Sequence, residues 1–135
     1  MANYYATARS NYFKVKDVEK FKELCTKINV EMIESQGKVG FICTQDPDCG
    51  SLPSSIYKEE LDDFEEIDLC ELVAEHLEEG EVAVMMEAGY EKFRYVTGYA
   101  MAVNWKGEVV DVNINDIYKK AQEELGGENI SMAEY

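Results

Sequence analysis

Hydrophobic positions along the chain switch between a period of two and a period of three to four, and the switches mark its elements. Tyr4 to Val15 interleaves Tyr, Phe and Val with polar residues and reads as a first strand. Val18, Phe21, Leu24, Cys25 and Ile28 then recur at helical spacing, and Asp17 stands where an N-cap belongs. Glu23 and Lys27 on this helix are placed for a favourable i,i+4 pair. Val30–Ile33 and Val39–Thr44 are two short strands joined through Ser35-Gln36-Gly37-Lys38, where Gly37 suits a tight hairpin turn. Gln45–Tyr57 holds both prolines together with Gly50, Asp46, Asp48, Ser51 and Ser54, which is loop chemistry.

The second half repeats the alternation. Leu61, Phe64 and Ile67 fall on every third position, compatible with either a helical turn or a docked irregular segment. Leu69, Leu72, Val73 and Leu77 form the apolar stripe of a helix over Asp68–Glu79, with Gly80 placed to end it. Glu81–Ala88, Phe93–Val103 and Glu108–Ile114 read as three strands. In the second of these, Phe93, Tyr95, Thr97, Tyr99, Met101 and Val103 share one face. Arg94, Val96, Gly98, Ala100 and Ala102 share the other. That second face is mostly small, which would let a helix pack closely, so this strand is expected to be central. Asn104–Gly107 is a hairpin connection, and Asn115 or Asp116 caps a last helix carrying Ile117, Ala121 and Leu125, ended by Gly126-Gly127. The order β-α-β-β-α-β-β-β-α with short links predicts an α+β fold: a mostly antiparallel sheet with helices packed on one face. The expected organisation is a single domain over residues 1–127 and a flexible tail over 128–135.

Charge changes this picture more than composition does. From Glu59 to Glu91 there are fourteen Asp and Glu residues and no Lys or Arg. The stretch before it nets +1 and the stretch after it −2, so nearly all of the chain's −15 sits in one block. Phosphate contact needs Lys and Arg, so direct nucleic-acid binding and attraction to anionic membrane are both disfavoured. No apolar run reaches the roughly 18–20 residues of a membrane span, and the N-terminus lacks a basic region followed by an apolar one. The expected location is cytoplasmic. Cys25, Cys43, Cys49 and Cys70 are spaced by 18, 6 and 21 residues, which matches no zinc pattern, and reduced thiols are expected.

Catalytic signals are weak. There is no nucleotide loop, zinc-protease motif or nucleophile elbow. The single histidine, His76, lies beside the apolar stripe and is read as structural. Asp46-Pro47-Asp48-Cys49-Gly50 fails the spacing of a calcium loop and reads as a turn. Glu87, Glu91, Arg94 and Tyr95 cluster around a strand connection and are the remaining catalytic candidates; a hairpin-end ion pair is the simpler reading. The chain is therefore expected to be non-enzymatic and to need no cofactor and no metal.

The acidic block is the most specific feature. On a helix over Asp68–Glu79, the residues Asp68, Glu71, Glu75, Glu78 and Glu79 would point away from the apolar stripe, with neighbouring carboxylates roughly 5–6 Å apart. Asp62, Asp63, Glu65 and Glu66 would extend the same face. Such a charge density approaches that of a nucleic-acid backbone. A solvated face normally mixes Lys with Glu, and acids at a helix C-terminus are unfavourable. The nine residues are thus a candidate contact surface for a basic partner protein.

Two segments, Arg9–Asp17 and Gly80–Tyr99, resemble a family of small proteins from bacterial phages and mobile elements. In size and charge the chain is also similar to acidic DNA-mimic proteins that block host defence. The first resemblance carries no catalytic motif; the second implies an inhibitor occupying a basic, nucleic-acid-binding surface. The alternatives are an immunity-type or adaptor protein with a basic partner unrelated to nucleic acid, and a small enzyme or ligand binder using the Glu87–Tyr95 region.

Overall fold

A computed structural model describes residues 4–43, 50–92, 95–127 and 129–133. Its elements are β1 (Tyr5–Ser10), α1 (Val18–Lys27), β2 (Glu31–Ser35), β3 (Lys38–Ile42), β4 (Ser55–Lys58), β5 (Asp63–Glu66), α2 (Leu69–Ala74), β6 (Val82–Glu91), β7 (Tyr95–Asn104), β8 (Val109–Asn113) and α3 (Asp116–Leu125). Local chemistry sets several boundaries where the sequence placed them. The Asp17 carboxylate accepts from the backbone N–H of Glu19 and Lys20 and starts α1. Gln36 and Gly37, with φ of 50° and 79°, make the two-residue turn that pairs Ser35 with Lys38. Gly126, left-handed at φ 72°, ends α3.

The fold is α+β. Six strands form one sheet in the order β2-β3-β1-β6-β7-β8, with antiparallel pairing between neighbours. β7 is interior, flanked by β6 and β8, so it is not an edge. The core joins α1 through Phe21, Leu24 and Cys25, α2 through Leu69, Cys70, Val73 and Ala74, and the sheet through Ala8, Phe41, Ala83, Met85 and Val103. Phe13 meets Phe21 edge to face at 5.5 Å, the favoured aromatic geometry. α3 buries no residue. Among the described residues no helix is long and apolar enough to cross a membrane.

Three expectations are corrected. The stretch around Leu61, Phe64 and Ile67 is neither a helical turn nor a docked irregular segment. It belongs to a second, two-stranded sheet, β4 against β5, closed by a turn over residues 59–62 in which Asp62 has a φ of 48°. Every residue of β5 is exposed, so no apolar alternation existed to reveal the strand. The element order therefore gains two strands.

The helix expected over Asp68–Glu79 ends at Ala74 with Glu75 as C-cap. The reason is competition for backbone groups. Past β1 the chain stays extended, and Leu77 leaves the helix to bridge Val15. Lys16 donates its backbone N–H to the His76 carbonyl at 2.9 Å, and Glu78 donates to the Lys14 carbonyl at 3.1 Å. Gly80, at φ 90°, serves the turn into β6 and not a helix cap.

The small face of β7 is not the face turned to the core. Met101 and Val103 pair with Met85 and Ala83 on the core side, whereas Ala100 pairs with Met86 and Val112 on the opposite side, where both are exposed.

Candidate functional site

The acidic surface is built from two elements and a turn. Asp62, Asp63, Glu65 and Glu66 ride on the β4–β5 hairpin, Asp68, Glu71 and Glu75 on α2 and its caps, and Glu78 and Glu79 on the turn that follows. All nine are exposed. Asp68, Glu71, Glu75, Glu78 and Glu79 do not share one helix, as the sequence suggested, because α2 is too short to carry Glu78 and Glu79. Asp68 uses its carboxylate to cap α2, accepting from the Glu71 backbone N–H at 3.2 Å. An acid at this end of a helix is favourable. Glu65 pairs with Lys58 across the hairpin at 3.8 Å. Asp68, Glu71 and Glu75 come together along a depression of about 400 Å³, whose other side is formed by Lys16, Trp105 and Lys106. The Lys106 ammonium stands 5.3 Å from the Trp105 ring centroid.

Sequence reasoning missed the apolar members of this surface. Leu61 is 68 % exposed and Phe64 67 % exposed, so the hairpin presents a leucine and a phenylalanine among its carboxylates. Their every-third spacing was compatible with a helical turn or a docked irregular segment; instead Phe64 stands in β5 and Leu61 in the turn before it, both exposed.

The Glu87–Tyr95 cluster disperses. Arg94 and Phe93 lie outside the described residues, as do Cys49 and most of the Asp46–Gly50 turn. Glu91 pairs with Tyr95 at the end of the β6–β7 ladder. Glu87, four residues earlier, is 8 % exposed and faces the core. One carboxylate oxygen accepts from the Leu52 backbone N–H at 2.8 Å and the Tyr99 hydroxyl at 3.1 Å. The other accepts from the Tyr4 hydroxyl at 3.0 Å, and that hydroxyl also shares a hydrogen bond of 2.8 Å with Thr97. Burial raises the Tyr99 phenol and the Glu87 charge raises it further. Cys43 is pushed up to about 11 by burial and then by Glu87. Glu87 thus ties the N-terminal segment, the segment before β4 and β7 into one polar knot. With both oxygens engaged it has the character of a structural acceptor.

Cys25, Cys43 and Cys70 are free buried thiols, and burial pushes Cys25 up to about 12. His76 stands edge-on to Phe21 at 5.9 Å, and burial lowers its basicity. Among the described residues no group of three or more His, Cys, Asp or Glu is arranged to hold a metal ion.

A groove runs over the outer sheet face. Its floor is Ala88, Gly98 and Ala100, and its walls are Met86 on one side and Val112 and Ile114 on the other. This section holds about 440 Å³ and continues into a second of about 610 Å³ lined by Tyr5, Tyr90 and Val96. The sequence showed the small strand face but not that it would stand open. The chain matches no family model, no curated protein and no solved structure.

Proposed function

We propose that the chain is a non-enzymatic interaction protein whose acidic surface occupies a basic, nucleic-acid-binding surface of a partner protein, in the manner of an anti-defence inhibitor acting in the cytoplasm. One observation carries the reading: all eleven acids between Glu59 and Glu79 are exposed. So dense an array of like charges repels itself and destabilises the compact state. Lys16, Lys58 and Lys106 border the array, but none is interleaved within it, whereas α1 alternates Glu19, Lys20, Lys22, Glu23 and Lys27. Facing a basic partner, the same array accelerates association and selects the partner by charge. Leu61 and Phe64 add what a phosphate backbone lacks, an apolar anchor inside the charged field.

The test is the association rate across a salt series for the wild type and for a variant with Glu71→Lys, Glu75→Lys and Glu78→Lys, using a partner captured from bacterial lysate at low salt. The fold should be unchanged, because exposed substitutions usually shift stability by about 0.5 kcal/mol or less each. The wild-type rate should fall as salt rises, and the variant should associate far more slowly at low salt. Equal rates at low salt would reduce the acidic block to a solubility device. A captured partner with no affinity for nucleic acid would replace mimicry by an immunity-type or adaptor role.

A further inference from the structure

Among the described residues, two apolar surfaces lack a cover, and they fit each other. The first is the sheet groove. Pairing in the ladder puts Met86, Ala100 and Val112 in one row and Ala88 and Gly98 in the next, where Ile114 continues the β8 side by donating its backbone N–H to the Gly98 carbonyl at 2.7 Å. In the first row the small Ala100 therefore lies between taller walls, Met86 on β6 and Val112 on β8; in the second, Ala88 leaves the β6 side open toward Thr7 on β1. Two strand spacings separate those walls, about 9.5 Å, close to the roughly 10 Å diameter of an α-helix. The β7 residues that line the groove run from Val96 to Ala100, about 13 Å.

The second surface is α3. Ile117, Ala121 and Leu125 recur at i, i+4 and i+8 and form one stripe. Ile117 is exposed, and Leu125 is 85 % exposed. Ten residues make a helix of about 15 Å, of which the groove would hold the greater part. The helix is nearly neutral, with Lys119 and Lys120 against Asp116, Glu123 and Glu124. It can thus approach an acidic chain without a large charge penalty.

The geometry points to a two-fold homodimer in which each copy lays α3 into the sheet groove of the other. The chain's own α3 is poorly placed to fill its own groove. It starts immediately after β8, and its first turn is fastened there: the Asp116 carboxylate accepts from the Asn113 backbone N–H at 2.9 Å, and the Asn113 side chain accepts from the Asn115 backbone N–H at 2.9 Å. A second copy has no such tether. The area is sufficient. Met86, Tyr90, Val96, Val110, Val112, Ile114, Ile117 and Leu125 are all exposed. The exposed area of the two surfaces together is on the order of 800 Å² per copy, comparable to what each partner of a standard interface buries. The groove is distinct from the acidic surface, so the dimer stands or falls independently of the proposed function.

Sedimentation equilibrium of the full chain across the micromolar range tests this, comparing wild type with Val112→Lys in the groove wall and Leu125→Lys on the helix stripe. Both positions are exposed, so circular dichroism and urea midpoints should match the wild type. The expected result is a wild-type dimer and at least a tenfold weaker self-association in each variant. A monomeric wild type overturns the proposal, including the case in which α3 seats on its own sheet. A Leu125→Lys chain that remains as dimeric as the wild type shows that α3 is not the occupant. A Val112→Lys chain that remains so shows that the groove is not the seat.

Discussion

Replacing Glu87 by leucine should be among the most damaging single substitutions in the chain, and the reason is the donors it would strand. Three groups point at this carboxylate: the Leu52 backbone N–H and the hydroxyls of Tyr99 and Tyr4. The leucine side chain would match the volume and offer no acceptor. A buried donor left unsatisfied costs about 1–3 kcal/mol. The Leu52 N–H has no freedom to turn away. The Tyr4 hydroxyl retains Thr97 as a partner. The expected loss for Glu87→Leu is therefore about 3–5 kcal/mol, a large part of a typical domain's 5–15 kcal/mol. Glu87→Gln is the control. Its carbonyl oxygen keeps Leu52 and Tyr99, and its amide can donate to Tyr4 if the Tyr4 proton rotates to Thr97. Only the charge assistance is lost, about 1–2 kcal/mol. The assay is urea unfolding followed by Trp105 fluorescence and by circular dichroism, with coincident transitions required before free energies are compared. If Glu87→Leu unfolds at the same urea concentration as Glu87→Gln, the donors have found other acceptors and the knot is not what holds Tyr4 and Leu52 in place.

Further outcomes follow from the same physics. Burial raises Cys25 to about 12 and Cys43 to about 11, and raises Tyr99 as well, while unfolded thiols titrate near 8.5 and tyrosines near 10. The unfolded chain then releases these protons first. The stabilisation is complete below about pH 8.5 and is lost as pH rises through the folded values, so the urea midpoint should drop between about pH 8 and pH 11; a flat profile would show that the thiols and Tyr99 are not shielded. Gly40→Ala should destabilise by about 1–3 kcal/mol, since a Cβ there would strike the Asn11 carbonyl and the Ser10 hydroxyl, and Ser10 holds the Phe41 N–H at 2.8 Å. A Gly40→Ala chain as stable as the wild type in the urea assay would mean that β1 and β3 can separate at this point without cost.

Short-range chemistry was legible in the sequence, because caps, turns and amphipathic stripes are written within a few residues. Asp17 capping α1, Gly37 turning β2 into β3 and Gly126 closing α3 all depend on local backbone geometry, and each element begins or ends where those residues stand. The exposure of the acids from Glu59 to Glu79 was legible too, since desolvating so many carboxylates together would be prohibitive. What lay beyond the sequence depended on partners distant along the chain. Leu77 fits the helical stripe of α2 yet leaves it, because Lys14–Lys16 competes for the same backbone groups. Glu87 read as part of a hairpin-end ion pair and is a core acceptor, because Tyr4 and Leu52 reach it from 83 and 35 residues away. β5 carries no alternation, so only its ladder with β4 defines it. The small face of β7 was visible as a pattern, but which of its two faces the core would claim was decided by pairing with Ala83 and Met85 on β6. A strand specifies two faces equally well; only the packing of the other elements chooses between them.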